Sequence, residues 1–360
     1  MLGIYVHFPF CRVHCSYCAF AVSTDLSLQE RYADSLLREI DGRAGGGVDS
    51  IYFGGGTPSR TDRAHLAAVA ARIQERFEVA ENAEFSLEAN PEDVSAEAID
   101  FWRGIGVNRL SIGVQSFHDS ELLPLGRVHG ADRARQAIGE VVRSGIRTSV
   151  DLILGLPLQT GDSFQLSLDE AIAAGVGHVS LYMLDLEEGT SLHRQVSGGR
   201  VSLPDDEGVA ELYLVAVDRL AAAGFEQYEI SNFARGGEEC RHNLRYWRRG
   251  EYHGFGAGAH SFIDGRRFAN ARDVGQYIEQ AQPDFAEVLN EIDVKRETIF
   301  LRLRQVAGID YDEVARLCGQ EGIEWMEHGV SEGWLRRSGS RVAFTPSGFL
   351  LSTELISQLF

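Results

Sequence analysis

Six short runs rich in Val, Ile, Leu, Phe or Tyr punctuate the first half of this chain: GIYVHF (3–8), DSIYFGG (49–55), EFSLEA (84–89), RLSIGV (109–114), RTSVDLILGL (147–156) and HVSLYML (178–184). Between them lie SLQERYADSLLREI (27–40), RAHLAAVAARIQERF (63–77) and GADRARQAIGEVVRSG (130–145). Their apolar residues recur at spacings of three and four, the period of an amphipathic helix. Strand and helix in alternation mark βα units, which build parallel sheets. The expected fold class is therefore α/β, a partial or full (β/α) barrel over residues 1–235, with periodicity leaving its closure open. In such a barrel the chemistry collects at the C-terminal ends of the strands. A long helix, DEGVAELYLVAVDRLAAAGF (206–225), and a short strand, EQYEIS (226–231), follow. Residues 236–290, rich in Gly and Arg, read as an irregular connecting segment. Residues 291–360 read as a small C-terminal winged-helix-like α+β module, with strand-like runs around a Ser-Gly-Ser turn in WLRRSGSRVAFTPSG (334–348).

At 360 residues the chain can bury a large core and suggests about two domains. No apolar run approaches the roughly 20 residues that span a bilayer, so no transmembrane segment is expected, and no export signal is evident at the N-terminus. A cytoplasmic location follows as the expectation, with peripheral contact to a membrane left open. The net charge of -19 repels polyanions, so nucleic acid is not expected as a partner and an anionic ligand needs a local basic patch. The C-terminal module accordingly reads as packing rather than as a DNA reader.

Three of the five cysteines, Cys11, Cys15 and Cys18, fall within CRVHCSYC just after the first strand. In a reducing compartment clustered thiols bind metal or do chemistry more often than they pair, and an odd count fits poorly with a disulfide framework. Three thiolates do not close a tetrahedral zinc site unless His14 supplies the fourth ligand. An iron-sulfur cube on three cysteines instead leaves one iron open to a small molecule. The glycine run of GGGTPS (54–59) lets backbone approach a ligand closely. Glu88, Gln115 and Asp151 stand at the ends of later strands, where polar groups converge on one barrel mouth.

The CxxxCxxC spacing at the end of the first strand of a βα array resembles the radical S-adenosylmethionine (SAM) superfamily. That resemblance implies a [4Fe-4S] cluster whose open iron chelates S-adenosylmethionine and whose electron cleaves the sulfonium. The set YVHFPFC, GGGTP, LEANP, RLSIGVQSF, DLILGLP, LYMLDLEEGT and HNLRYW resembles the coproporphyrinogen III oxidase-like group, and within it most closely the HemW family of haem chaperones. Carried over by motif, Cys11, Cys15 and Cys18 would hold the cluster, backed by Tyr17. Gly55, Gly56, Thr57 and Glu88 would contact S-adenosylmethionine; Gln115, Arg127 and Asp151 match positions lining a second such molecule in the oxidase, and Tyr5 one near its substrate. The oxidase has a further cysteine where this chain has Phe20, and an N-terminal extension where only ten residues precede Cys11. Both departures favour a haem carrier over the alternative, the decarboxylating oxidase of porphyrin biosynthesis, and leave enzymatic activity open.

The segment CRHNLRYWRRGEYH (240–253) sets Arg241, Arg245, Arg248 and Arg249 against one acid, Glu251, and interleaves them with Tyr246 and Trp247. Arginines suit propionates and flat aromatics suit a macrocycle. HNLRYW matches the HNxxYW motif associated with haem, which implies haem contacts from His242, Asn243, Tyr246 and Trp247. His242, His253 and Cys240 are the candidate axial ligands, and the implied partners are haem and the proteins that accept it.

Overall fold

The computed structural model describes residues 1–280 and 283–359; residues 281, 282 and 360, which fall in the expected connecting segment and C-terminal module, lie outside them. The six expected strands form as β1 (Leu2–Phe8), β2 (Gly47–Gly55), β3 (Glu78–Ala89), β4 (Arg109–Gln115), β5 (Arg147–Leu154) and β6 (His178–Met183). Each pairs in parallel with the next. Helices Gln29–Gly42, Arg63–Arg76, Ala96–Gly104, Ala131–Ser144 and Gly161–Ala173 carry the chain back between them.

Strand periodicity sorts the two faces of this sheet. Ile4, Val6 and Phe8 of β1, Phe53 of β2, Leu87 of β3 and Ile112 of β4 are buried in one continuous core with the helices. Each such side chain contributes roughly 1.5–3 kcal/mol when fully buried. The alternating positions, Tyr5, Tyr52, Glu88, Ser111 and Asp151, point to the other face. Parallel strands are ordinarily apolar on both faces, so this polar row marks the working side of the sheet.

The sheet extends beyond the expected array on both edges. On one side β8 (Asn232–Ala234) lies antiparallel to β6, with β7 (Glu226–Gln227) beyond it. The expected strand 226–231 ends early because Glu229 leaves it to bridge Gln305. On the other side β9 (Tyr252–Phe255) runs parallel to β1, and β10 (His260–Ile263), β11 (Arg266–Asn270) and β12 (Pro283–Val288) add antiparallel. No ladder among the described residues joins β12 to β7, so the paired strands form an open sheet.

The reading of 236–290 as irregular does not hold, since four strands and the helices Arg241–Trp247 and Val274–Glu279 occupy it. Its glycines look like loop residues but allow close approach of chain segments. A Cβ on Gly254 would stand 1.9 Å from the His260 carbonyl oxygen, and one on Gly256 2.5 Å from the Tyr32 hydroxyl.

Residues after 290 form a second core around Ile299, Leu303, Val314, Met326, Val342 and Phe344. Helix Glu291–Leu303 is followed by β13 (Ile309–Asp310), helix Tyr311–Ser331 and the hairpin of β14 (Leu335–Ser338) and β15 (Arg341–Phe344), with β13 pairing onto β15. This unit docks on the sheet through main chain and side chain alike: Ile230 N–H donates to the Arg304 carbonyl at 2.9 Å, and Gln305 Nε2 to the Trp247 carbonyl at 3.0 Å. Among the described residues, no helix is long and apolar enough to cross a membrane.

Candidate cofactor site and the motif helix

A cavity of about 410 Å³ opens at the C-terminal ends of β1–β6. Cys11, Cys15 and Cys18, all free thiols, line it together. Backbone and side-chain bonds hold their loop: Ser16 N–H donates to the Leu125 carbonyl at 2.9 Å, its hydroxyl to the Pro124 carbonyl at 2.8 Å, and Leu192 N–H to the Ser16 carbonyl at 2.7 Å. Tyr17 packs behind the loop against Leu125, Ile153 and Leu156, and burial raises its phenol above the ordinary range. Burial also pushes the Cys11 thiol up to about 11, while the Thr57 hydroxyl, 3.4 Å from its sulfur, favours the thiolate. His14 binds the Cys18 carbonyl at 3.1 Å from an exposed position.

The glycine run ending β2 forms one wall. Gly55 adopts φ +112°, where a Cβ would lie 2.3 Å from His7 Nδ1, and a Cβ on Gly56 would lie 2.6 Å from the Pro9 carbonyl carbon. Only glycine fits this crossing of β2 under the start of the cysteine loop. Gly55 N–H donates to Glu88 Oε2 at 3.0 Å and the Tyr52 hydroxyl to Oε1 at 2.8 Å. Burial pushes the Glu88 carboxyl up to about 7 despite those donors. Across the mouth, Asp151 accepts from the Ser111 hydroxyl at 3.0 Å, and burial raises its carboxyl too.

Arg127 is the half-buried cation of this cavity, which the exposed Arg12 also lines. It donates to Asn90 Oδ1 at 2.7 Å and the Gly113 carbonyl at 2.8 Å, and its Nη1 lies 3.7 Å from Cys15 Sγ. Its buried Nε has no partner among the described residues. Asn90 in turn donates to Thr57 Oγ1 at 3.2 Å, so one chain of bonds links the cation, the glycine-run threonine and Cys11. Gln115 lines the same wall with φ +69°, a left-handed backbone rare outside glycine. Tyr5 alone among the expected cofactor residues lies elsewhere: it bonds His7 at 3.1 Å, stacks on Tyr52, and lines a second cavity of about 510 Å³.

The helix Arg241–Trp247 packs deeper along the strands. Ser50 and Glu84, which hold it, lie four residues before Gly54 and Glu88 on β2 and β3, about 13 Å farther from the mouth. Glu84 accepts the His242 N–H at 3.0 Å and the Cys240 thiol at 3.5 Å. A carboxylate at a helix N-terminus is favourable.

His242 itself is buried, with Nδ1 on the Ser50 hydroxyl at 3.1 Å and Nε2 on the Tyr246 hydroxyl at 2.8 Å. Both ring nitrogens are thus used, which leaves none for a metal. Cys240 is occupied with Glu84, and His253 is buried between Phe77 and Phe255. Neither of these other candidate ligands lines either of the two cavities. Arg245 is likewise spent on Asp49 and the Met1 carbonyl, and Arg241 on the Asn82 carbonyl. Asn243 and Trp247 are half-buried. Of the motif, only Tyr246 reaches the second cavity.

Residues 5–171 match the radical SAM superfamily. "Heme chaperone HemW" of Mycobacterium tuberculosis is 37% identical over 371 residues, covering 99% of this chain and 94% of that protein. The HemW of Bacillus subtilis is 35% identical over 99% of this chain and 98% of the relative, and that of Escherichia coli 32% identical over 99% and 97%. The chain belongs to the HemW family. Its fold is shared with the radical SAM coproporphyrinogen III oxidase HemN of Escherichia coli, at TM-score 0.85 and 22% identity over 99% of this chain and 89% of that one.

The donor set of this HemW-family cavity fits the groups the superfamily implies. Three unpaired thiols on a braced loop suit an iron-sulfur cube. The glycine cradle, Glu88 and a half-buried guanidinium with a spare donor suit an amino acid nucleoside carrying ammonium, hydroxyl and carboxylate. Reasoning from sequence missed Asn90, Ser111 and Tyr52, which hold Arg127, Asp151 and Glu88. A sign of the first lay in LEANP, where Asn90 follows directly on Ala89.

Proposed function

We propose that this chain carries haem and passes it to acceptor proteins in the cytoplasm, with a [4Fe-4S] cluster and S-adenosylmethionine in the first cavity. The observation that carries the reading is the set of three free thiols, glycine cradle and half-buried cation around one cavity, in a chain alignable with haem chaperones over 99% of its length. Cys11, Cys15 and Cys18 are the cluster ligands, and when bound the cluster supplies electrons and an iron site open to the nucleoside. Arg127 neutralises the anion beside Cys15 and offers its free Nε to a carboxylate. Glu88 receives an ammonium or ribose hydroxyl, and the backbone of Gly55 to Thr57 closes over the ligand. Asp151 and Gln115 complete the polar wall, with Tyr17 packed behind the thiols.

Phe20 favours a carrier over a decarboxylase. Its ring is 68% exposed and stands where the oxidase-like pattern has a thiol. The test is anaerobic reconstitution followed by two assays, haem titration by visible absorbance and incubation with coproporphyrinogen, S-adenosylmethionine and a reductant. Stoichiometric haem binding without decarboxylated product is expected. Turnover of the porphyrinogen would overturn the reading, as would the absence of haem binding.

A further inference from the structure

The second cavity has the shape and charge the motif helix lacks. Its volume of about 510 Å³ falls in the range of pockets that enclose a drug-sized ligand. Tyr5, Tyr246 and Tyr252 give it aromatic walls, and Phe262 adds a buried floor on which the Arg249 guanidinium stacks at 4.6 Å. Helix Glu291–Leu303 closes one side with Glu297 and Leu301.

Three guanidiniums, of Arg249, Arg267 and Arg272, face it in a chain of net charge -19. Arg249 and Arg267 share the single carboxylate of Glu297, and Arg267 also reaches Glu287 at 3.2 Å. Arg272 has no ion-pair partner among the described residues; its one hydrogen bond there is to the Ala19 carbonyl at 2.7 Å. Most of its donors are therefore available to an anion.

Two histidines line the wall. His7 spends Nδ1 on the Tyr5 hydroxyl at 3.1 Å and Nε2 on the Ala21 carbonyl at 2.7 Å. His260, exposed at the start of β10, has no hydrogen bond to either ring nitrogen among the described residues, and Arg267 and Arg272 are its charged neighbours. A free imidazole, flat aromatic walls and an unpaired guanidinium match an iron-bearing planar macrocycle with carboxylate arms.

We propose that haem sits in this second cavity with His260 as axial ligand to its iron and Arg272 pairing a propionate, while His242 acts only as a positioning residue that orients Tyr246. This assignment rests on the haem-carrier reading above and adds the site to it. The motif then has a structural explanation: its histidine fixes a wall of the site from behind.

The test uses the full chain with its cluster reconstituted, titrated with haem and followed by the Soret band. His260→Ala is expected to shift the band and weaken binding by about tenfold or more, with added imidazole restoring the band position. His242→Gln is expected to weaken binding but keep the wild-type band. Arg272→Gln is expected to weaken haem but not haem dimethyl ester, and this pair reads the site independently should His260→Ala fail to fold. An unchanged band and affinity in His260→Ala, or equal losses for haem and its ester in Arg272→Gln, would overturn the assignment. If the wild-type chain binds no haem, it is the carrier reading that fails.

Discussion

Nε2 of His242 lies 2.8 Å from the hydroxyl of Tyr246, one helical turn further along, while Nδ1 is held by Ser50 of β2. The imidazole is thereby locked between sheet and cavity wall. Burial pulls its pKa down to about 3, and this has a consequence for acid stability. The unfolded chain takes up a proton near pH 6.5 that folded His242 refuses, so its stabilising contribution is complete above about 6.5 and is lost as pH falls toward 3. Glu88 and Glu229, both raised to about 7, act in the opposite sense. The slope is therefore best read as a difference between variants. Below pH 6.5 the wild type should lose about 1.4 kcal/mol per pH unit more than His242→Gln, measured by denaturant unfolding at pH 7, 6 and 5.

Glu88 should make cofactor affinity depend on pH. Burial favours its neutral form, so its contribution to stability fades as pH rises through about 7. An ammonium or hydroxyl ligand needs the carboxylate. S-adenosylmethionine affinity should accordingly fall below about pH 7, and Glu88→Gln should bind about tenfold more weakly with the pH dependence removed. Equilibrium dialysis of the reconstituted protein at pH 6 and 8 checks both points.

Single substitutions of Cys11, Cys15 or Cys18 by Ala should abolish retention of about four irons and matching sulfide per chain. Cys240→Ser keeps a donor to Glu84, and Cys318→Ala alters a thiol remote from the cavity; both should retain the full complement. Iron, sulfide and zinc analysis of anaerobically purified protein decides this. Zinc in place of iron would point instead to a structural site.

Gly55→Ala should be far costlier than Gly237→Ala, although both positions have positive φ. At Gly237 nothing lies within 4 Å of the added methyl group, which leaves the conformational cost of roughly 1–2 kcal/mol. At Gly55 the methyl group meets the His7 ring at 2.3 Å, and overpacking adds roughly 1–3 kcal/mol more. Thermal melts of the two variants give the comparison.

The βα array and the gathering of most of the named residues around one cavity at the strand ends were legible in the sequence because their signals are local. Strand runs end in GGGTP, LEAN and GVQS, and a parallel array brings those ends together whatever the details of its twist. The second edge of the sheet was not legible. β9 pairs with β1 across some 250 residues, and GEYHGFGAGAH resembles a loop because its glycines answer to Tyr32 and to the His260 carbonyl, distant partners that no local pattern reveals. The surroundings of His242 were hidden for the same reason. The hydroxyl beside its Nδ1 belongs to Ser50, 192 positions away.

Phe20 borders both cavities. A side chain that is wall to two rooms makes their occupants parts of one thermodynamic cycle. Whatever factor a ligand in the first cavity imposes on affinity in the second by moving that ring, the second ligand must return in equal measure to the first. Phe20 thus stands where the occupancy of the first cavity and that of the second can be exchanged as a single free energy.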